Sequence, residues 1–218
     1  MIKTLGIIGY GSFGSFIHEI ARQYTPNIQV KISSSRFIPD AKTFFSFEEV
    51  CVCDVLIPAV PISTFRAALA RIKPHLGSNT IIVDVATVKM HTVQALRELD
   101  GHTQYVATHP MFGPYSYIKK GKSIDGLRIV IAEHTLSSEQ RQKLRDFLES
   151  IGLVVLETTA QEHDQMLAET LFLIHYIAQV VTYGNFIRTN IDTVSFGFLM
   201  DAVESVQNDT ELFKDVYT

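Results

Sequence analysis

Residues 7–14, IIGYGSFG, join the end of a short apolar run to the beginning of an amphipathic helical pattern. They contain the spacing G-x-G-x-x-G, in which each glycine has a separate use between a strand and a helix. Gly9 permits the tight turn, Gly11 lets the backbone approach a pyrophosphate, and Gly14 lets the helix pack closely on the strand. The free N–H groups of the first helical turn attract an anion. The stretch therefore predicts a dinucleotide site formed by Gly9, Gly11, Ser12, Phe13 and Gly14.

The chain beyond this stretch alternates short β-rich apolar runs with helical patterns as far as residue 157. This alternation is typical of βαβ units and a parallel sheet. Helices are predicted near 13–24, 62–73, 88–98 and 137–151, the last with Ser137 or Ser138 as its N-cap. We therefore predict a Rossmann-type α/β domain over residues 1–158, with a doubly wound, mostly parallel sheet. Its predicted strands are Lys3–Ile8, Gln29–Ile32, Val55–Pro58, Thr80–Val83, Gln104–Ala107, Arg128–Ala132 and Val154–Glu157.

The pattern changes to long helical runs without strands from about Gln161. One run covers residues 162–187 and a second lies near 193–207, which predicts a small all-helical domain over 159–218. The first run is apolar on more than one face. A small domain built from it needs a partner to cover the excess apolar surface, so we expect a homodimer that forms through these helices.

Composition excludes several classes of partner. The chain has 218 residues, 46% of them hydrophobic and 19% charged, with a net charge of −4 and no long Lys/Arg run. We therefore expect no nucleic-acid partner. No signal peptide or apolar run of about 18 residues is evident, so we expect no membrane partner and a cytoplasmic location, or an organellar one if the chain is a processed or truncated form. In an extended segment Cys51 and Cys53 point to opposite sides, so both are predicted to be packing residues, and no metal site is expected.

The end of the second predicted strand indicates which cofactor is bound. An acidic residue at that position holds the adenosine ribose of NAD. This chain has Ser33, Ser34, Ser35 and Arg36 there instead. Hydroxyls and a guanidinium suit a 2′-phosphate, which a carboxylate would repel, so the sequence favours NADP over NAD. A plain solvated loop is the alternative.

Chemistry in an open α/β sheet is expected beyond the carboxyl ends of its strands. Val60 and Pro61 follow the third strand and are predicted to contact the cofactor, although a proline that merely starts a helix explains them equally well. Thr87 and Lys89 follow the fourth strand and bring a hydroxyl and an ammonium to this edge. His109 follows the fifth strand, in a stretch that contains two prolines.

Taken in order with the glycine loop, these segments resemble the prephenate and arogenate dehydrogenase family of tyrosine biosynthesis. The family pattern has a proline turn, a D-V-x-S-V-K segment, H-P-M-F-G-P, and later an H-D pair followed by a helix with another histidine. The serine-rich loop and the sequence of the H-P-M-F-G-P region are similar to those of the NADP-using, arogenate-type members. The corresponding stretches here are PAVP at 58–61, DVATVK at 84–89, THPMFGP at 108–114, EHDQMLA at 162–168 and LFLIHYIAQ at 171–179.

The resemblance implies oxidative decarboxylation of a cyclohexadienol, arogenate or prephenate. His109 is then the candidate acceptor of the hydroxyl proton, because an imidazole with its ordinary pKa of about 6.5 suits that task near neutral pH. Thr87 would hydrogen-bond near the nicotinamide or His109, and Lys89 is a candidate substrate ligand. The alternatives are a strand-end hydrogen bond for His109 and a solvated helix start for Lys89.

His175 is the candidate substrate ligand of the helical domain. In an unbroken α-helix it shares a stripe with Asp164, Ala168, Leu171 and Ala178, because eleven residues at about 100° each nearly complete whole turns. The alternative is a histidine satisfied within a helix–helix interface.

Two departures from the family pattern keep other functions open. Thr87 stands where the family has serine, and the helical domain is short, without a T-R-I-A type arginine segment to bind substrate carboxylates. Another NAD(P)-dependent reductase or dehydrogenase with the same two domains, or a non-catalytic NADP-binding regulatory protein, are therefore the alternatives.

Overall fold

A computed structural model describes residues 2–99 and 101–206 of the chain. The chain divides into two compact units, Met1–Ala160 and Gln161–Thr218. The last residues of the predicted helical domain, 207–218, lie outside the described part.

The first unit is built on one seven-stranded sheet with the order β2-β1-β3-β4-β5-β6-β7. Strands β1 to β5 are parallel, β6 is antiparallel to β5, and β7 is parallel to β6. This confirms the predicted Rossmann-type, mostly parallel fold. The strands are β1 (Thr4–Ile8), β2 (Gln29–Ser33), β3 (Val55–Pro58), β4 (Ile81–Asp84), β5 (Gln104–Pro110), β6 (Arg128–His134) and β7 (Val154–Glu157).

Helices connect the strands of the first unit. Ser137, one of the two predicted N-cap residues, caps helix α6 (Ser138–Ser150) through a capping box with Gln140. The short helices α2 and α5 have no counterpart among the predicted elements. A 3₁₀ turn, Lys73–His75, extends α3. The helices are α1 (Ser12–Tyr24), α2 (Phe47–Cys51), α3 (Ile62–Ile72), α4 (Lys89–Arg97), α5 (Pro114–Lys119) and α6 (Ser138–Ser150).

Each face of the sheet has its own apolar core. Ile82 of β4 belongs to a cluster with residues of α2, α3 and α4, whereas its neighbour Ile81 packs against a cluster with residues of α1, α5 and α6. Successive side chains of a strand point to opposite faces, so the two clusters lie on the two sides of the sheet. Helices therefore cover both faces, as in a doubly wound fold.

The chain reverses its direction across the sheet at β1, which pairs with β2 on one side and β3 on the other. In such sheets the crevice at the carboxyl ends of the strands beside this reversal receives the ligand. The glycine loop leaves β1 at this point.

The second unit is helical, but its long run is not one continuous α-helix. The run consists of α7 (Ala160–Leu167), a π-helical turn (Ala168–Phe172) and α8 (Leu173–Tyr183). A further helix, α9 (Val194–Val206), packs on α8 through a cluster that includes Ala178, Val181 and Met200.

The segment Ala160–Tyr183 is 24 residues long and, by length and composition alone, apolar enough to cross a membrane. The prediction that no stretch qualifies as a span is therefore wrong by this measure, because the density of apolar residues outweighs the polar ones between them. One such helix is weak evidence for a span, since helices of soluble cores and interfaces have the same composition.

The two cysteines are packing residues for a different reason from the predicted one. Cys51 ends α2 and Cys53 lies in the following turn, so the segment is not extended. Both are buried and free, and burial raises the pKa of the Cys51 thiol to about 11. The thiol therefore stays protonated at neutral pH.

Candidate functional site

The glycine loop has the geometry that its spacing predicts. Gly9 has a φ of +100°, and its N–H donates to the Ser33 carbonyl at 2.9 Å. A side chain at Gly14 would place its Cβ 3.0 Å from the carbonyl carbon of Gly9 and closer still to the oxygen, so helix α1 packs directly on the turn. A Cβ at Gly11, by contrast, would meet nothing within 4 Å. The loop therefore leaves open space at the glycine that is predicted to face the pyrophosphate.

The turn after β3 lies against the same loop. The Ala59 N–H donates to the Ile8 carbonyl at 2.8 Å, and a Cβ at Gly9 would collide with the Ala59 carbonyl. Val60 follows, and Pro61 is the N-cap residue of α3. The two predicted cofactor segments are therefore in contact at the carboxyl ends of β1 and β3.

An aromatic cluster holds the loop after β2 against the glycine loop. Phe37 stacks on Phe44 with ring centroids 4.4 Å apart, and Tyr10 meets the Phe44 ring edge-on at 5.3 Å. This cluster is not predictable from the sequence, because two phenylalanines in an irregular loop have no periodicity to reveal their contact. It places the loop that carries Ser34 and Arg36 beside the glycine loop.

The polar residues of that loop stand at its surface. Ser33 is the last residue of β2, while Ser35 and Arg36 are exposed. The Ser34 Oγ accepts the Arg36 N–H at 3.3 Å, which turns the chain back on itself. Serine hydroxyls and an arginine are thus presented together at the end of β2.

A groove of about 770 Å³ runs between α1 and α5 and connects two of the predicted motifs. Tyr10 and Ser12 of the glycine loop line it, together with Pro114 of the HPMFGP stretch. His18, which accompanies them, contacts the Tyr10 hydroxyl through Nδ1 at 3.1 Å. Burial, and secondarily the charge of Arg22, lower the pKa of His18, so this imidazole is neutral at physiological pH.

His109 lies within β5 rather than after it. The predicted strand ends at Ala107, but the observed one continues to Pro110 because β6 pairs with it from the other side, with His109 opposite Val130. The register shifts between Ala107 and Thr108, a β-bulge that changes the direction of the residues beyond it. His109 is only 6% exposed. It is thus a buried imidazole near the carboxyl end of the last parallel strand.

The segment after β4 forms a buried polar cluster. Asp84 and Lys89 are both fully buried and form an ion pair. Lys89 Nζ also donates to the Thr108 carbonyl at 2.6 Å, and Thr92 Oγ1 donates to Asp84 Oδ2 at 2.6 Å. The alternative interpretation of Lys89, a solvated lysine at a helix start, is therefore wrong, because the ammonium is buried against Asp84. Direct contact between Lys89 and a substrate stays a prediction.

Thr87 lies between Asp84 and Lys89 in a short connection without regular structure and is half-buried. The connection is held by the Ala86 N–H, which donates to Asp84 Oδ1 at 2.8 Å. The parallel pairing of β4 with β5 puts Thr87 and His109 at the same edge of the sheet as the glycine loop.

In the second unit, the buried stripe differs from the predicted one. His175 is 2% exposed, with Nδ1 2.9 Å from the Leu171 carbonyl oxygen, but Ala168 is exposed. His163 is 3% exposed and its Nδ1 lies 2.7 Å from Asp164 Oδ1. The π-helical turn explains the difference. Its hydrogen bonds span one residue more than those of an α-helix, so residues before and after it no longer share a face at α-helical spacing. The predicted stripe rests on an unbroken α-helix, which leaves out the buried His163.

Comparisons with known proteins identify a family for the chain. A family model described as "Prephenate dehydrogenase, nucleotide-binding domain" matches residues 35–157, more than half of the chain. The chain belongs to the prephenate dehydrogenase family. The match covers β3, β4 and β5, with the DVATVK and THPMFGP stretches that follow or end them, which confirms the resemblance drawn from those motifs.

Members of this family with curated names are distant in sequence. Arogenate dehydrogenase 1 of Arabidopsis thaliana is 27% identical over 94% of this chain, and the cyclohexadienyl dehydrogenase of Zymomonas mobilis is 24% identical over 99% of it. The chain spans about a third of the Arabidopsis protein (34%) and 80% of the Zymomonas one.

The fold is shared with a solved member of the prephenate dehydrogenase family. The crystal structure of prephenate dehydrogenase from Aquifex aeolicus, in complex with hydroxyphenyl propionate and NAD+, superposes with a TM-score of 0.74 at 17% identity. The superposition covers all of this chain and 82% of that one.

Proposed function

We propose that the protein is an NADP-preferring dehydrogenase that converts arogenate or prephenate by oxidative decarboxylation to tyrosine or 4-hydroxyphenylpyruvate. The observation that carries the proposal is the position of His109, a buried imidazole near the carboxyl end of β5, on the same sheet edge as the open glycine loop. Membership of the prephenate dehydrogenase family supports it.

The residues present fit a nicotinamide dinucleotide. Gly11 leaves open space at the start of α1, where helical N–H groups point outward for a pyrophosphate. Ser12 and Phe13 begin that helix, and Val60 and Pro61 form the adjoining turn after β3. When bound, the cofactor supplies a hydride acceptor.

His109 and Thr87 then handle the substrate hydroxyl. As C4 of the ring gives up its hydride, the neutral His109 imidazole accepts the proton of the C4 hydroxyl. Loss of the ring carboxylate as CO2 leaves its electron pair in the ring, which becomes aromatic, and His109 returns the proton to the phenolate oxygen. Thr87 orients the hydroxyl or the imidazole through its own hydroxyl group. No net proton is consumed in this sequence.

His175 is proposed to bind the substrate from the helical unit. It is buried, and its Nδ1 lies 2.9 Å from the Leu171 carbonyl oxygen, so this backbone contact orients the ring. His163 is equally buried and lies against Asp164, which makes it a second imidazole of the same unit with a defined orientation.

Steady-state kinetics with arogenate and prephenate, each with NADP+ and NAD+, test the proposal. We expect NADPH formation from one or both substrates, with the higher kcat/KM for NADP+. Tight NADPH binding without turnover of either substrate would contradict the enzyme assignment and favour a non-catalytic NADP-binding protein. Failure to bind any nicotinamide dinucleotide would remove both hypotheses.

Arg36 is predicted to select the cofactor. Its exposed guanidinium stands with Ser34 and Ser35 at the end of β2, where the 2′-phosphate is expected. Loss of a hydrogen bond to a charged group costs about 1.5 kcal/mol or more, roughly a tenfold change in affinity. Arg36→Ala should therefore raise the Kd for NADPH about tenfold and leave that for NADH unchanged.

The matched control is Lys42→Ala, which removes an exposed cation from the same segment. Titration calorimetry should give Lys42→Ala a Kd for NADPH within about twofold of the wild-type value. An equal loss in both variants would mean that Arg36 contributes only general positive charge. An equal loss of NADH and NADPH affinity would contradict a role in 2′-phosphate recognition.

The helical unit is proposed to form a homodimer. Leu173, Tyr176, Val180 and Tyr183 are exposed along α8. At 100° per residue they fall within an arc of about 80°, on a different face from the residues that pack on α9. A second copy that presents the same stripe would bury it in a two-fold symmetric interface. This proposal also accounts for the apolar character of the helix without a membrane, in keeping with the predicted cytoplasmic location.

Val180→Glu should dissociate this dimer. In a symmetric interface the substitution brings in two carboxylates, each of which must lose water without a partner, so we expect the dimer Kd to rise at least about a hundredfold. Thr182→Glu, at an exposed position outside the stripe, should change it by less than about threefold. Sedimentation equilibrium measures both. A monomeric wild-type protein, or its flotation with lipid vesicles, would contradict the proposal.

A further inference from the structure

The buried cluster around Asp84 contains one residue that is predicted to bind cofactor or substrate, Lys89. Asp84, Lys89 and Thr92 are all completely inaccessible to solvent, and Thr108 is 2% exposed. Burying an ion pair is expensive, and a well-packed apolar replacement is often equally stable. Stability alone is therefore a weak explanation for charges at this place.

The position of Lys89 at the start of its helix is also unusual. Lys89 is the first residue of α4, whose N-cap is Val88, with no side-chain cap and no acidic residue in the first turn. A cation at a helix N-terminus is unfavourable, because the helix dipole is positive there. Lys89 therefore departs from two local preferences: charged side chains are usually exposed, and cations are usually absent from helix N-termini. Such departures are expected at functional sites.

The contacts of the cluster lead to the residues just before two candidate catalytic groups. Asp84 Oδ1 accepts the Ala86 N–H at 2.8 Å, and Ala86 precedes Thr87. Asp84 Oδ2 binds Lys89 Nζ, which donates at 2.6 Å to the carbonyl of Thr108, the residue before His109. One carboxylate thus connects both backbone segments.

Two further hydroxyls complete the connection. Thr92 Oγ1 donates to Asp84 Oδ2 at 2.6 Å from inside α4. Thr108 Oγ1 donates to the Asp84 carbonyl at 2.7 Å and fastens β5 to β4 at the bulge. Thr108, the residue before His109, is therefore held through both its side chain and its carbonyl oxygen. It lies at the bulge, where the pairing of β5 with β6 is irregular.

We infer that Asp84, Lys89 and Thr92 are positioning residues, which set the orientation of Thr87 and His109 toward the substrate hydroxyl. The inference rests on the proposed function, because it assigns a task to a cluster beneath the same site. It gives Lys89 an indirect role, through the Thr108 carbonyl.

The test compares two isosteric substitutions on one part of the fold. Thr92→Val removes the hydroxyl that binds Asp84. Thr80→Val removes an equally buried hydroxyl just before β4, which donates to the Cys53 carbonyl at 2.8 Å, at the opposite end of the strand. We expect Thr92→Val to lower kcat at least about tenfold with an unchanged Kd for NADPH, and Thr80→Val to leave kcat within about twofold. Equal kcat values in the two variants would overturn the inference.

A charge-neutral double variant separates positioning from stability. Asp84→Asn or Lys89→Met alone leaves an unpaired buried charge and is expected to lower Tm. The double variant Asp84→Asn/Lys89→Met leaves no such charge, so Tm should recover relative to either single variant while kcat stays low. Recovery of kcat together with Tm would show that the pair serves only stability.

A readout without turnover distinguishes this inference from the proposed function. The ring ¹³C signal of His109, assigned by its loss in His109→Asn, should shift in Thr92→Val and stay in place in Thr80→Val. If the wild-type protein converts neither arogenate nor prephenate, the proposed function fails, yet this shift still supports the positioning role. An unmoved signal in both variants would overturn it.

Discussion

His109→Asn should lower kcat by about 10²- to 10⁴-fold while leaving the Kd for NADPH unchanged. The side chain is buried near the end of β5, and the proposed reaction needs an acceptor for the hydroxyl proton as the hydride leaves. Asparagine keeps a polar group of similar size but cannot take a proton. The backbone pairing of residue 109 with Val130 does not depend on the side chain, so the strand should persist.

The pH dependence gives a second measurement on the same variant. A histidine base must be neutral, so kcat/KM of the wild-type protein should fall toward acidic pH as the imidazole gains a proton. This acidic limb should disappear in His109→Asn. The control is His91→Asn, on the exposed side of α4, which should keep both kcat and the limb. A loss of NADPH affinity as large as the loss of kcat would mean that His109 is structural.

The alternation of apolar runs and helical patterns was enough to predict all seven strands. Observed strand ends differ from the predicted ones mostly by a residue or two, because apolar residues mark the strands and polar residues the turns. Strand β5 is the instructive exception. Its last residues, His109 and Pro110, are not typical strand residues, and only the neighbouring β6 shows that they belong to the sheet. That pairing is a long-range contact without a local signal.

Which residues are buried along the long helical run of the second unit could not be predicted from helical periodicity. The spacing argument placed Asp164 and His175 on one stripe of an unbroken α-helix. The π-helical turn at Ala168–Phe172 changes the phase, so that His163 is buried instead of Ala168. A π-turn has no reliable sequence mark, since it depends on how the flanking turns pack. The sequence thus identified the candidate histidine His175 but not its neighbours.

The candidate site was predictable residue by residue, but its internal connections were not. Gly9, Thr87 and His109 each follow or end a strand, which a one-dimensional pattern can reveal. The link from Asp84 through Lys89 to Thr108 joins residues 24 positions apart and depends on the pairing of β4 with β5. A lysine at a helix start is usually solvated, so nothing local indicates that this one is buried.

The glycine loop offers the second large effect, because its glycines differ in what surrounds them. Gly11→Ala adds a methyl group where no atom lies within 4 Å and the backbone is extended, with a φ of −81°. The fold should therefore tolerate it, and Tm should fall by no more than about 4 °C, since alanine is a poorer N-cap residue than glycine by about 1 kcal/mol. The methyl group would instead occupy the space proposed for the pyrophosphate, so the Kd for NADPH should rise about tenfold or more.

Gly14→Ala and Gly101→Ala give this prediction its two limits. At Gly14 the new Cβ would press on the Gly9 carbonyl, so unfolding free energy should fall by about 1–3 kcal/mol and affinity should fall with it. At Gly101 the surroundings are as open as at Gly11, but the residue lies in the turn before β5, away from the carboxyl ends of the strands. Neither Tm nor affinity should change there. Thermal unfolding and NADPH titration of the three variants therefore separate space needed by the fold from space needed by the cofactor. Wild-type affinity in Gly11→Ala would mean that the dinucleotide does not approach this loop.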